Sequence, residues 1–296
     1  MISADAVRDG RLPTAQMSGD MARPGDDWFS RLLLGDRLEA DAERKLLDVG
    51  FVIIPRVVAG ERMDRLSRAY DRAVAAAAAP QLRVGRETTR VHGLADSGGE
   101  FDDIYVYGPM LGTCCRVMGQ PFRLSSLLAR TVHPWSGADR LHVDVASDGD
   151  GWPMLGFILM VDAFDVDNGC TRFVPGSHRS NHIPSDADRE VAEPMLALGE
   201  RGSLAIYSGS VWHGHSANRT AMPRRSVQGA YIRRSGQAAF GCQADTQARL
   251  GGLARYLLGI DLSAVEQRGA DDRAASAEPA SERSQLDPVC EREGDG

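Results

Sequence analysis

The chain has 296 residues, 43% of them apolar, and a formal net charge of −7, a composition that provides for a globular fold with a sizeable core. The acidity sits at one end: residues 263–296 carry nine Asp/Glu against four Arg, a net of −5. That balance excludes the basic footprint of a general nucleic-acid binder and the polybasic patch of a membrane-surface protein, and no stretch reaches the ~18 apolar residues of a membrane span.

Residues 1–25 are polar, aperiodic and broken by Gly and Pro, as expected of a mobile segment. They begin MISADAVRDGRLPTAQ, without the basic start and apolar run of a secretory leader. The stretch DRLEADAERKLLDVGFVIIPRVV predicts a short helix, a stop at Gly50 and a strand over Phe51–Ile54. In ERMDRLSRAYDRAVAAAAAP, the residues Met63, Leu66, Tyr70, Val74 and Ala77 recur at helical spacing, with Pro80 closing the segment. Cys114 and Cys115 lie in the apolar run MLGTCCRVMG and read as buried helix residues. The five cysteines form no CxxC pair and no even framework, which fits reduced thiols in a cytoplasm.

From Leu124 the texture changes to short apolar runs, LSSLLARTV, MLGFILMV, TRFV, SLAIYS and SVQGAYIR, each bounded by Gly, Pro, Asp or Asn. Short strands joined by turns predict a sandwich or barrel rather than βαβ units. Beyond Ile260 the chain is charged and rich in Ala and Ser, so 261–296 reads as a disordered acidic tail. The expectation is one domain over 26–260, mainly β with flanking helices.

The chemistry-bearing stretch is LHVDVASDGDGW. Side chains at i and i+2 on a strand share a face, so His142 and Asp144 can meet one cation. A third ligand is needed, and the segment GSVWHGHSANRTAMPRR offers His213 or His215. Two imidazoles and one carboxylate, with coordination positions left open, form the facial triad of non-haem Fe(II) oxygenases. Arg224 and Arg225 open the next strand. A guanidinium facing into a barrel is costly unless it meets an anion, and a bidentate carboxylate would satisfy it. The distal carboxylate of 2-oxoglutarate is the expected anion. Lys45, the only lysine, lies in the N-terminal helix and cannot take that place. Strand alternation turns Arg224 and Arg225 to opposite faces, Arg225 outward.

Taken together, HVD, DVDNGCTRFVPGSHR and WHGHSANRTAMPRR resemble the phytanoyl-CoA dioxygenase family of Fe(II)/2-oxoglutarate oxygenases, as does GFVIIPRVV upstream. The resemblance covers about Gly50 to Arg233. It implies a double-stranded β-helix, a cupin-like jelly roll with the metal at one mouth. It implies His142, Asp144 and His213 as iron ligands and Arg224 as the 2-oxoglutarate anchor. His215 departs from the family pattern, which has a small residue there, and is expected to touch 2-oxoglutarate or substrate, or to line the site. Thr131, on the strand before HVD, is expected to hydrogen-bond 2-oxoglutarate. The implied activity is hydroxylation of an unactivated C–H bond of a small metabolite, with O2 and 2-oxoglutarate converted to succinate and CO2. Related halogenating enzymes lack the carboxylate ligand; Asp144 keeps it. The competing readings are a cupin-type metalloenzyme that does not use 2-oxoglutarate and an inactive ligand-binding barrel. His178 and His133 read as structural, His92 with Arg86 and Arg90 as either substrate-facing or solvated, and Trp152 with the preceding aspartates as a lid beside the iron.

Overall fold

The computed structural model describes residues 26–180, 182–234 and 242–260; the expectations for 1–25 and 261–296 lie outside the described residues. Two helices open it, α1 (Asp26–Leu34) and α2 (Ala40–Val49). Gly50 ends α2 in the left-handed region at φ 88°, its N–H donating to Leu46 O at 2.9 Å, a conformation glycine adopts without a Cβ penalty. A Cβ there would also lie 2.5 Å from His178 Nδ1. The chain then runs into β1 (Phe51–Ile54), at the bounds expected from sequence. Helix α3 (Gly60–Ala76) buries Met63, Leu66, Ala69, Tyr70 and Ala73, the i, i+3, i+4 stripe of an amphipathic helix.

Next come β2 (Leu82–Val84), β3 (Thr88–His92), α4 (Asp102–Tyr105) and α5 (Gly108–Met118), the last burying both Cys114 and Cys115. The strands that follow are β4 (Phe122–Val132), β5 (Met154–Met160), β6 (Thr171–Phe173), β7 (Met195–Leu196), β8 (Leu204–Ser208), β9 (His213–His215) and β10 (Arg224–Arg233), with α6 (Asp186–Val191) before β7. Helices α7 (Ala244–Arg249) and α8 (Gly252–Leu258) close the described chain.

The strands form a seven-stranded sheet in the order β1-β8-β5-β10-β4-β3-β2 and a three-stranded sheet in the order β7-β6-β9, with every described pair antiparallel. The large sheet has two differently used faces, because alternate residues point to opposite sides. Its outer face, with Leu127, Ala129, Leu155, Phe157, Leu159, Ile206 and Val227, packs in one apolar cluster with helix residues such as Leu66, Tyr70 and Leu111. Each such Leu or Phe contributes roughly 1.5–3 kcal/mol by burial, an upper estimate, so this cluster fixes the sheet against the helices. Its inner face contributes Phe51, Ile158, Met160, Ala205 and Tyr207 to a second, smaller cluster with Cys170, Phe173 and Val211. This is the expected double-stranded β-helix, a jelly roll with flanking helices.

Only part of the inner face is apolar. Where β3, β4 and β10 run side by side, Arg90, Arg130 and Ser226 stand directly opposite one another, followed by His92, Leu128 and Gln228. Arg224 begins the same face of β10. All of these except Ser226 line one wall of a cavity of about 290 Å3.

Candidate active site

His142 sits after β4, outside any regular strand, and is held by a bridge to β9: its N–H donates to His213 O at 2.9 Å, and His213 N–H donates back at 2.9 Å. The bridge brings the two rings to a centroid separation of 4.5 Å. Each ring then makes the same local contact. Nδ1–H of His142 donates to Arg140 O at 2.9 Å, and Nδ1–H of His213 donates to Val211 O at 2.9 Å. This fixes the tautomer and leaves Nε2 as the lone-pair nitrogen, the arrangement a metal-binding histidine requires.

Asp144 is fixed by its own N–H donating to Gly209 O at 2.9 Å. Its Oδ2 lies 3.6 Å from His213 Nε2. One donor atom from each of His142, Asp144 and His213 lies within 4.8 Å of the others. Two lone-pair imidazoles and one carboxylate at that spacing fit a single divalent cation. Burial, the largest influence on His213, pushes its pKa down, favouring the neutral ring a cation needs.

Tyr207 was not singled out in the sequence, yet its hydroxyl donates to Asp144 Oδ2 at 2.9 Å. Burial, and then the Asp144 charge, pushes the phenol well above its ordinary range, so it remains a donor. Space for the ring comes from its cross-strand partner Gly156: a Cβ there would stand 2.3 Å from Tyr207 Cζ. Phe173 and His213 flank the ring at 5.3 and 5.0 Å between centroids.

Arg224 lines the same cavity and is 1% exposed. Its Nε–H and one Nη2–H donate to Gly169 O at 3.1 and 2.6 Å, and Nη1 donates to Ser226 Oγ at 3.0 Å. Three of the five N–H donors are thus used, leaving one on each terminal nitrogen. The group packs over the Phe164 ring at 4.2 Å. Burial, reinforced by the nearby Arg130 charge, pulls its pKa down to about 9: the cation is held under tension that a carboxylate would relieve. Arg225 points to the opposite face, as alternation requires. It is not solvated there, because Asp162 accepts from its Nη2 at 2.7 Å and Asp71 from its Nη1 at 2.7 Å.

His215 faces the cavity two residues from His213, its Nδ1–H donating to Ser216 O at 2.9 Å, and burial lowers its pKa to about 4. It does not join the three grouped donors. Thr131 is turned away from the cavity. Its hydroxyl bonds Tyr70 Oη at 2.8 Å on the helix side, and Arg130, its neighbour on β4, takes the inner face instead. The expected contact of Thr131 with 2-oxoglutarate is therefore replaced by a strand-to-helix contact, one residue out of phase. Arg130 and Gln228 line the cavity without having been expected; Arg90 and His92 do so as the substrate-facing alternative had it. His178 and His133 are structural: His178 Nε2 bonds Leu47 O at 3.2 Å, and His133 contacts Thr89 Oγ1 and Arg86 O at 2.9 and 3.0 Å. The expected lid is pinned elsewhere, with Asp148 paired to Arg233 and Trp152 packed on His178 at 5.7 Å between centroids.

A family model described as phytanoyl-CoA dioxygenase matches residues 46–226, from the end of α2 into β10, including all three grouped donors and Arg224. The chain belongs to the phytanoyl-CoA dioxygenase family. Its relatives include Dioxygenase aneA of Aspergillus aculeatus, 25% identical over 149 residues, covering 46% of this chain and 50% of that one. Dioxygenase cdmD of Talaromyces verruculosus is 28% identical over 158 residues, covering 48% and 51%. The matched stretch thus spans about half the length of these relatives. Among solved structures, the non-haem α-ketoglutarate-dependent carbocyclase SnoK from nogalamycin biosynthesis superposes with a TM-score of 0.57 at 20% identity, covering 72% of this chain and 91% of that one. HygX from Streptomyces hygroscopicus, solved with nickel, 2-oxoglutarate and hygromycin B bound, gives 0.56 at 16% identity, covering 71% and 94%. At these identities the superpositions establish the jelly-roll fold. No helix among the described residues is long and apolar enough to cross a membrane.

Proposed function

We propose that this member of the phytanoyl-CoA dioxygenase family is an Fe(II)- and 2-oxoglutarate-dependent dioxygenase that hydroxylates an unactivated C–H bond of a small metabolite. One atom of O2 enters the product and the other enters succinate, with loss of CO2. The observation that carries this reading is the convergence of His142, Asp144 and His213 to within 4.8 Å in the cavity that Arg224 also lines. Fe(II) and 2-oxoglutarate, when bound, supply the activation of O2 that protein side chains cannot perform.

The residues do the rest by placement. Arg140 O and Val211 O orient the two imidazoles so that Nε2 faces the shared position. Tyr207 occupies one lone pair of Asp144 Oδ2 and holds the carboxylate in one orientation. Arg224, with two N–H groups free, would hold the distal carboxylate of 2-oxoglutarate. Leu128, Ile158 and the Tyr207 ring keep part of the wall apolar, which strengthens the charge interactions inside. Asp144 fills the carboxylate place that halogenating relatives leave to a halide, which supports hydroxylation. The biosynthetic names of SnoK and of the neighbour bound to hygromycin B support a specialised metabolite as substrate. Free thiols at Cys114, Cys115, Cys170 and Cys242 support a cytoplasmic setting.

The deciding experiment is an anaerobic titration with Fe(II) and then 2-oxoglutarate, followed by admission of O2 and measurement of succinate. Wild-type protein is expected to bind both and release succinate, and Asp144→Ala to release none. Iron binding without 2-oxoglutarate binding would instead identify a cupin-type enzyme, and binding of neither a ligand-binding barrel.

A further inference from the structure

The inner wall of the large sheet contains a feature that the cosubstrate does not use up. Arg83 on β2 stands directly opposite Arg90 on β3, and Arg90 directly opposite Arg130 on β4. Residues so paired share a face with Cβ atoms about 4.5–5.5 Å apart, and like charges in that position destabilise a sheet. Three arginines therefore run in a row from the exposed edge strand inward, and the inner two line the cavity.

Their charges are not equally matched. Arg130 has Asp139, with Nη2 to Oδ2 at 3.3 Å, although its Nε is buried and makes no hydrogen bond. Arg83 and Arg90 have no ion-pair or hydrogen-bond partner among the described residues. Glu87, the acid nearest in sequence, is taken up by Arg86 at 3.3 Å and by Gly137 N–H at 2.6 Å. The field of the row reaches the cavity. Burial and then the charges of Arg90 and Arg83 lower the pKa of His92, and burial and then Arg90 lower that of Arg130. A dianionic 2-oxoglutarate answers the metal, offset by Asp144, and Arg224. It leaves Arg83 and Arg90 uncompensated at the rim.

We propose that the Arg83–Arg90–Arg130 row binds an anionic group, a carboxylate or phosphate, of the primary substrate and so holds the reacting carbon over the metal site. The proposal rests on the oxygenase reading for its word "substrate", but the anion site itself is independent of it. Arg90 and Arg83 supply the rim contacts, Arg130 the inner end, and the apolar residues Leu128 and Ile158 beyond them receive the uncharged part of the molecule. A substrate class follows: acids or phosphate esters, rather than neutral or cationic metabolites.

The test uses inorganic phosphate and benzoate as probes, titrated calorimetrically into the full chain with and without Fe(II) and 2-oxoglutarate. The wild type is expected to bind at least one probe in both states, with affinity falling as salt rises. Arg83→Gln/Arg90→Gln is expected to weaken it on the order of tenfold to a hundredfold, Arg90→Lys to retain most of it, and 2-oxoglutarate affinity to stay within about twofold. Probe affinity unchanged in the double variant, or no probe binding by the wild type, overturns the proposal. So does a fall in 2-oxoglutarate affinity matching the fall for the probes, because the anion served would then be the cosubstrate's. Failure of the oxygenase reading shows separately, as absent succinate release while the probes still bind.

Discussion

Replacing Tyr207 with phenylalanine deletes one oxygen atom from the site and leaves the ring where it is. The flanking contacts with Phe173 and His213 are made by the ring, and Gly156 faces Cζ and Cε1 as well as the hydroxyl, so most of the packing is preserved. What is lost is the 2.9 Å hydrogen bond to Asp144 Oδ2, made by a hydroxyl on a residue only 6% exposed. A hydrogen bond to a charged acceptor contributes about 1.5–3 kcal/mol, which corresponds to roughly ten- to 150-fold in an equilibrium constant. It acts on metal binding because it sets the direction of the Asp144 lone pairs, and outer-shell partners of this kind typically cost 10–100-fold in metal affinity when removed. Calorimetric titration of Tyr207→Phe with Fe(II) under anaerobic conditions, or with Co(II) in air, is therefore expected to give a Kd raised about ten- to hundredfold. The melting temperature of the metal-free protein should move little, since Asp144 is partly exposed and water can replace the phenol. An unchanged Kd would refute the reasoning that Tyr207 orients the ligand.

Gly156→Ala tests the same geometry from the other strand: with a Cβ 2.3 Å from Tyr207 Cζ, overpacking should cost about 1–3 kcal/mol in urea unfolding and weaken metal binding as well. Arg224→Ala is expected to weaken 2-oxoglutarate binding by on the order of a hundredfold, the loss of a buried bidentate charge contact. Arg225→Ala should leave that affinity within about twofold while lowering stability, because Asp162 and Asp71 lose their shared partner. Equal effects of the two substitutions on 2-oxoglutarate would overturn the facing assignment. Asp144→Ala should abolish both tight metal binding and succinate release; wild-type turnover would remove Asp144 from the ligand set.

The sequence was most legible where one residue imposes one conformation. Gly50 marked the end of a helix and the start of β1, and both bounds hold. The five apolar runs after Leu124 all became strands: the four in the large sheet turn their outward residues onto the helix layer, and TRFV packs Phe173 into the inner cluster. His142 and Asp144 were readable as a pair, but the spacing alone could not say that a bridge to β9 would hold His142 and a bond to Gly209 O would hold Asp144, rather than a strand. β3 went unread for a related reason: Arg90 and His92 line the cavity, so its inner face is polar and the strand is buried and apolar only at Val91. The phase error at Thr131 had an available signal. Arg130 lies between Leu128 and Val132, whose buried strand would have made an inward-facing charge conspicuous. Tyr207 had none, since every residue of its strand is buried and only the register with Gly156 singles it out.

Gly169 O, which receives two donors from Arg224, belongs to a loop knotted by its own side chain. Asn168 accepts from Asp165 N–H at 2.9 Å and donates to Ala163 O at 2.7 Å. The guanidinium is therefore aimed by a turn that does not itself line the cavity, and a change at Asn168 acts like moving the socket rather than the plug. This turn is a second handle on the Arg224 guanidinium, adjustable without altering any residue that lines the cavity.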